Sequence, residues 1–181
     1  MINKFSLDHQ SKNYLVISSD IESRYKTVIT KVSEYFDKSV EKILENPDVM
    51  YVSLPVIDKS GNITSTLSNY ELQMREYGLL DKLDTNRIGN EITIDQIREV
   101  ISFTQISAHK NKKIVILNSA SNMNKEASSA LLKTLEEVSS NCTFILLASS
   151  LNSIAETIKS RCQVLQPVSY THLTLPTKVT V

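Results

Sequence analysis

The chain has 181 residues with 20 basic and 20 acidic side chains, so no overall charge excess indicates nucleic acid or a membrane surface as a partner. Its hydrophobic content of 41% and charged content of 22% are typical of a soluble, folded domain. The glycines, Gly61, Gly78 and Gly89, are few and widely separated. Phosphate-binding loops need clustered glycines for close backbone approach, so an intact P-loop or dinucleotide-binding fingerprint is excluded.

The first half of the chain predicts two strands, one helix and a long irregular segment. An apolar run at 14–17 ends in a polar turn, and the helix that follows has an apolar face running from Val28 to Phe36. A second strand is expected at 49–52. The polar, poorly periodic segment 55–90 is expected to form a long loop or insertion, in which a short helix could open at Ser68.

The second half alternates helices and strands. One helix is expected after Thr93, which can cap it together with Gln96, and another after Asn124. Further strands are predicted at 113–117, 143–148 and 163–165. Strands that are apolar throughout and alternate with helices predict a parallel sheet covered on both faces, which defines an α/β fold.

The two cysteines and the amino terminus indicate the compartment. Cys142 and Cys162 lie in apolar stretches, so we expect two buried thiols in a reducing environment rather than a disulfide. Residues 1–10 lack the apolar core of a signal peptide, and the longest apolar run is too short to span a bilayer. These features predict a cytoplasmic protein.

The carboxyl end, residues 169–181, does not fit the pattern. It contains four threonines and has no predicted partner element, and it resembles a translated cloning adapter. A native tail or edge strand is the alternative. We therefore expect one α/β domain over residues 1–168 followed by a non-native tail.

Residues 114–137 carry a family resemblance. This stretch, and above all Ala130-Leu-Leu-Lys-Thr-Leu-Glu-Glu137, resembles bacterial clamp-loader subunits of the AAA+ class. Further landmarks of the same family are Asn46-Pro-Asp48, 94–99, 144–148 and Ser160-Arg-Cys162. The resemblance implies the AAA+ three-layer sandwich, related to P-loop NTPases. It also implies that lid and collar domains, which follow this region in the family, are absent from the chain.

The loop after the first strand departs from the ATP-hydrolysing members of that family. Those members carry a glycine-rich loop ending in Lys and Thr or Ser, which hold phosphate and Mg²⁺. Here the loop begins at Ser18, no glycine precedes Lys26 and Thr27, and Asp20 and Glu22 would repel phosphate. Lys26 is then better interpreted as a solvent-facing helix residue, and the site as degenerate.

The carboxylates that should end the central strand are also missing. Asn118 and Ser119 stand at the positions where the family's ATPases hold Mg²⁺ and orient water. The resemblance therefore implies a chain that binds no cofactor and hydrolyses no ATP itself, with ATP and Mg²⁺ on neighbouring subunits. Many relatives also carry a four-cysteine zinc module ahead of 46–48, but this chain has no cysteine there. We expect no bound metal.

Arg161 is the candidate functional residue. In the family, the arginine of the Ser-Arg-Cys motif points across a subunit interface at a neighbour's ATP as an arginine finger, and Ser160 and Cys162 support it. A degenerate ATP site with a retained finger resembles the delta-prime family of DNA polymerase III clamp-loader subunits. That resemblance implies gamma/tau and delta subunits, the sliding clamp and primed DNA as partners. A solvated arginine near a helix end is the alternative.

Basic residues elsewhere give weaker hypotheses. Lys125 and Lys133 lie on the helix that lines the DNA channel in related assemblies, so they are candidate phosphate contacts. The basic run 109–113 could also face DNA, although a solvated loop before a buried strand is the simpler interpretation. Two other functions stay open: an ATP-hydrolysing gamma/tau-like subunit, and a stand-alone interaction domain.

Overall fold

A computed structural model describes Leu7 and residues 13–58, 60, 62–64, 87–110, 112–137 and 141–166. The strands are β1 (Asn13–Ile17), β2 (Val49–Val52), β3 (Val56–Ile57), β4 (Ile63–Thr64), β5 (Arg87–Ile88), β6 (Lys113–Leu117), β7 (Cys142–Ala148) and β8 (Gln163–Leu165). The α-helices are α1 (Ile21–Phe36), α2 (Ile94–Gln105), α3 (Lys125–Glu137) and α4 (Glu156–Lys159), with 3₁₀ helices at Val40–Glu45, Ala120–Asn122 and Leu151–Ser153. The tail 169–181 and the helix expected at Ser68 lie outside the described residues.

Five strands form the main sheet in the order β2-β6-β7-β1-β8, and every neighbouring pair is parallel. Alternate side chains of each strand enter two separate apolar layers. Leu15 and Ile17 pack on the face covered by α2 and α3, whereas Tyr14 and Val16 pack on the face covered by α1. The predicted α/β sandwich with a doubly covered parallel sheet is therefore confirmed.

The predicted capping residues position two of these helices. At the start of α2, the Thr93 N–H donates to Gln96 Oε1 at 3.1 Å. At the start of α3, Asn124 Oδ1 accepts from the Ala127 N–H at 2.9 Å. Both contacts satisfy backbone groups that a helix terminus would otherwise leave without a partner.

Part of segment 55–90 is more regular than the sequence predicts. Strand β3 pairs antiparallel with both β4 and β5, so a small second sheet forms where we expected a loop. Each of these strands has two residues, which is too short to give a periodic signal. Gly89 follows β5 and lies against Pro55, and a Cβ atom at Gly89 would lie 2.8 Å from Pro55 Cγ, so a larger residue there would force a shift.

The parallel arrangement gives the main sheet two chemically distinct edges. We call the edge at the strand ends, where Ser18, Asn118 and Ser149 follow β1, β6 and β7, the carboxyl edge. We call the opposite edge, where Asn13, Lys113 and Cys142 begin the same strands, the amino edge. Ligands of open α/β sheets bind at the carboxyl edge, so the two edges have different expected roles.

Candidate functional site

The loop after β1, where an ATPase of this fold binds phosphate, is only three residues long here. Asp20 caps α1, and its Oδ1 accepts from the Ser23 N–H at 3.2 Å. Ser18 Oγ in turn accepts from the Asp20 N–H at 3.2 Å. In a phosphate-binding loop such helix N-terminal N–H groups bind an anion, whereas here the Ser23 N–H is satisfied by the protein's own carboxylate.

A buried arginine also contacts this loop. Arg24 is 4% exposed, and its Nη1 donates to the carbonyl oxygen of Ser18. Lys26 is exposed and lies about 8 Å along α1 from the first residue of the helix, beyond its first turn. Thr27 Oγ1 donates to the Ser23 carbonyl at 2.7 Å. The Lys-Thr pair therefore lies inside the helix rather than at a phosphate-binding terminus.

The end of β6 supplies no carboxylate. Asn118 is 2% exposed, and its N–H donates to the Val52 carbonyl at 2.7 Å. Ser119 is half-buried and adopts the left-handed conformation, with φ of 59°. Strands β6 and β1 lie on either side of β7, so Asn118 and Ser18 are about 10 Å apart across the sheet. Within the described ranges, no group of three or more His, Cys, Asp or Glu side chains could hold a metal ion.

Arg161 lies at the amino edge, in the turn between α4 and β8. Its Nη1 donates to the Thr157 carbonyl at 2.7 Å and to Ser160 Oγ at 3.2 Å. Its Nη2 forms an ion pair with Glu136, near the end of α3. The Arg161 side chain is 34% exposed, so its charge is available at the surface.

Asn13, the first residue of β1, holds the backbone beneath this arginine. Its Nδ2 donates to the Arg161 carbonyl at 3.2 Å and to the Leu135 carbonyl at 3.4 Å. Asn13 is 6% exposed, so these contacts form in the interior. Sequence reasoning missed both Asn13 and Glu136, although Glu136 lies within the motif at 130–137 that carries the family resemblance.

The loop after β1 and Arg161 therefore lie at opposite ends of strand β1. Ser18 follows the last residue of β1, whereas Arg161 is tied to the first residue of that strand. The five residue steps between Asn13 and Ser18 correspond to about 17 Å of extended chain. An arginine side chain does not cover this distance, so Arg161 cannot reach a phosphate on its own chain's loop.

The cysteines are unreactive. Both are free, and burial raises the pKa of Cys142 to about 11 and that of Cys162 to about 12. The thiolate is the reactive form, so both thiols stay protonated and inert near neutral pH. Cys162 is half-buried rather than fully buried, which corrects the sequence expectation, and it packs against the apolar layer on the α2 and α3 side.

The basic run at 109–113 is divided between surface and interior: His109 and Lys110 are exposed, as a solvated loop predicts, whereas Lys113 is buried. The buried carboxylate of Asp48 accepts from the backbone N–H groups of His109 and Lys110, each at 2.7 Å. Lys113 is 4% exposed, and its Nζ donates to the Phe103 carbonyl at 2.6 Å. Lys112 Nζ donates to the Leu7 carbonyl at 2.6 Å. The ammonium groups of Lys112 and Lys113 donate to backbone carbonyl oxygens, so these two lysines stabilise the amino edge of the sheet.

Lys125 and Lys133 are both exposed on α3. With Ser129 between them at intervals of four residues, they lie along one outward face of the helix. Leu131 and Leu135 point the other way into the core. The two lysines therefore lie on the exposed side of the helix, which also carries the acidic residues Glu126, Glu136 and Glu137.

The five-stranded parallel sheet covered by helices on both faces defines the class of fold, the α/β domain of AAA+ proteins. A DNA polymerase III gamma subunit-related protein of Thermotoga maritima superposes with a TM-score of 0.58 at 18% identity. The match covers 93% of this chain and 43% of that protein, and at this identity it shows the fold alone. None of the helices in the described part of the chain is long and apolar enough to cross a membrane.

Sequence comparison defines the family. The family model described as "DNA polymerase III, delta subunit" matches residues 68–169, more than half of the chain. The chain belongs to this family, and the resemblance found in the motifs is confirmed.

Individual relatives agree with this assignment. DNA polymerase III subunit delta' of Haemophilus influenzae is 42% identical over 77 residues, which cover 42% of this chain and 24% of the relative. Replication factor C subunit 5 of Neurospora crassa is 28% identical over 147 residues, which cover 80% of this chain and 39% of the relative. The chain thus spans between 24% and 39% of the length of these two relatives.

Proposed function

We propose that the chain serves as a delta-prime-like clamp-loader subunit that hydrolyses no ATP and supplies Arg161 to the ATP site of a neighbouring subunit. The observation that carries this proposal is the placement of Arg161 at the amino edge, opposite the loop that ends β1. Because Arg161 is partly exposed and cannot reach its own chain's loop, we infer that it acts in trans on a neighbouring subunit.

The carboxyl edge supports the first half of the proposal. Binding of Mg·ATP requires free N–H groups at a helix terminus, a lysine near that terminus and a carboxylate for the metal. Asp20 satisfies the Ser23 N–H, Lys26 lies beyond the first turn, and Asn118 carries no charge. A metal-bound nucleotide would also meet the negative charge of Asp20. The residues present therefore do not fit the group that the fold implies.

The chemistry of Arg161 supports the second half. A guanidinium group offers planar paired N–H donors to phosphate oxygens and does not titrate in proteins. Such a group in trans stabilises the negative charge of a phosphoryl group during its transfer. In this proposal ATP and Mg²⁺ are held by the neighbouring subunit, and this chain contributes only the cation.

The proposal extends to the partners expected from the family. They are gamma/tau and delta subunits, with the sliding clamp contacted indirectly and primed DNA threaded through the assembly. The chain would then be a non-catalytic component of the DNA polymerase III holoenzyme, acting in the cytoplasm during replication. Lys125 and Lys133 are the residues we propose for DNA phosphate contacts, since they are exposed and share one helix face.

The test uses the full-length protein reconstituted with its partner subunits, in complexes whose other ATP sites are inactivated. Arg161→Ala should lower clamp- and DNA-stimulated ATP hydrolysis at the neighbouring site by roughly 10³-fold. Arg98→Ala is the matched control, because Arg98 is an exposed arginine on α2 that pairs with Asp95 at 2.7 Å. Equal hydrolysis rates in wild type and Arg161→Ala would overturn the proposal.

A further inference from the structure

The guanidinium group of Arg161 is held by acceptors from two different elements. Thr157 and Ser160 belong to α4 and the turn that follows it, and they contact Nη1. Glu136 belongs to α3 and pairs with Nη2. The guanidinium group thus bridges its own short helix and the end of α3.

The backbones that carry this ion pair are also tied together. Asn13 Nδ2 bridges the carbonyl oxygens of Arg161 and of Leu135, the residue next to Glu136. Asn13 is 6% exposed, so this bridge is largely shielded from solvent. It links the turn that carries Arg161 to the end of α3 through β1, independently of the ion pair.

From this geometry we infer that Glu136 is a positioning residue for Arg161, an inference that rests on the function proposed above. A free arginine side chain samples many rotamers, and each must be given up when it binds phosphate. Glu136 restricts that sampling before the neighbour arrives. The contacts made within the described residues use three of the five N–H donors of the guanidinium group, so donors remain for a ligand.

The ion pair is weak enough to leave the arginine available. The Glu136 side chain is 50% exposed, and ion pairs at such exposure are screened by water and salt. A phosphate group with more negative charge than one carboxylate can therefore compete for the same cation. Glu136 therefore orients Arg161 but can be displaced from it by a phosphate group.

Glu137 provides a matched control on the same helix. It is an exposed carboxylate one residue further on, about 100° around the helix from Glu136. Replacing it changes the same charge on the same turn of α3 but removes no contact to Arg161. Any effect of helix charge or of α3 stability should therefore appear in both variants.

The experiment is a double-mutant cycle in the reconstituted complex, with hydrolysis at the neighbouring site as the readout. Glu136→Ala should lower kcat roughly two- to fivefold with the KM for ATP unchanged, because an exposed ion pair contributes about that factor. Glu136→Gln, which keeps an acceptor oxygen, should recover part of the loss, and Glu137→Ala should leave kcat unchanged. In the Arg161→Ala background, Glu136→Ala should have no further effect, since its contribution passes through the arginine.

The cycle separates the two proposals. A full effect of Arg161→Ala with no effect of Glu136→Ala overturns the positioning role and leaves the proposed function standing. An increased rate in Glu136→Ala would overturn it too, because the carboxylate would then be competing with phosphate. The same loss in both backgrounds, or the same loss in Glu137→Ala, would assign the effect to general stability. No effect of Arg161→Ala overturns both proposals.

Discussion

The two edges of the main sheet satisfy their polar groups in different ways. At the carboxyl edge, local contacts hold the loop after β1: Asp20 caps α1, and Arg24 donates to the Ser18 carbonyl. At the amino edge, buried polar groups brace the framework while Arg161 stays partly exposed above them. The helix terminus at the carboxyl edge is capped by the protein's own side chain, whereas the cation at the amino edge stays partly exposed.

The two edges differ in the range of the contacts that hold them. At the carboxyl edge the contacts are local, because a short loop and one capping carboxylate satisfy the helix terminus. Keeping the amino edge requires long-range contacts, such as the one from Asn13 to Arg161. The first edge can change without disturbing the second, since the whole length of β1 separates them.

The amino edge should be the more sensitive of the two to loss of one polar side chain. Asp48→Ala should lower the free energy of unfolding by about 3 kcal/mol, because two backbone N–H groups lose a charged acceptor. Denaturant unfolding measures this value, and Asp48→Asn, which keeps one acceptor oxygen, should lose about half as much.

Asp95→Ala is the control for that measurement. Asp95 is an exposed carboxylate paired with Arg98 at 2.7 Å, so its loss should change stability by less than about 1 kcal/mol. If Asp48→Ala were no more destabilising than Asp95→Ala, the buried carboxylate would not be bracing the loop at 109–110.

At the carboxyl edge, loss of one polar side chain should lower the free energy of unfolding by a smaller amount. Asp20→Ala removes the cap of α1 and should cost about 1 kcal/mol in the same assay, since its contact is exposed. It should gain no Mg·ATP binding, because Lys26 and Thr27 still lie inside the helix. Submillimolar nucleotide affinity in this variant would show that Asp20 alone keeps the site closed.

The smallest effects on stability are expected on the outer face of α3. Lys125→Ala and Lys133→Ala should each leave the unfolding free energy within about 0.5 kcal/mol of wild type. In the reconstituted complex, each should reduce the salt dependence of primed-DNA affinity by about 0.9 in log–log slope. Lys42→Ala is the control, because Lys42 is exposed beside Ile43 on the α1 side of the sheet. A slope change shared by all three variants would contradict a specific contact.

The sequence predicted the main sheet because its signals are local. Apolar runs predicted the five strands. The starts of α2 and α3 were predicted from their capping residues, Thr93 with Gln96 and Asn124. The two-residue strands within 55–90 gave no such signal, since neither periodicity nor capping operates at that length.

The candidate site was only partly predictable for the same reason. Arg161 stands in a recognisable motif, but its partners come from β1 and α3, far away in sequence. The basic run at 109–113 looked like a solvated or DNA-facing surface, because charge alone does not show that Lys113 is buried against Phe103. The roles of Arg161 and Lys113 depend on contacts with other elements of the fold, which no local sequence pattern predicts.

We propose that this chain binds no nucleotide at its own carboxyl edge, and titration of the purified protein with Mg·ATP tests this proposal. Calorimetry should detect no binding at millimolar nucleotide, because the helix terminus is capped and no carboxylate ends β6. A control subunit with an intact glycine-rich loop should bind in the same buffer. A micromolar Kd that depends on Mg²⁺ would contradict the account and favour an ATP-hydrolysing subunit.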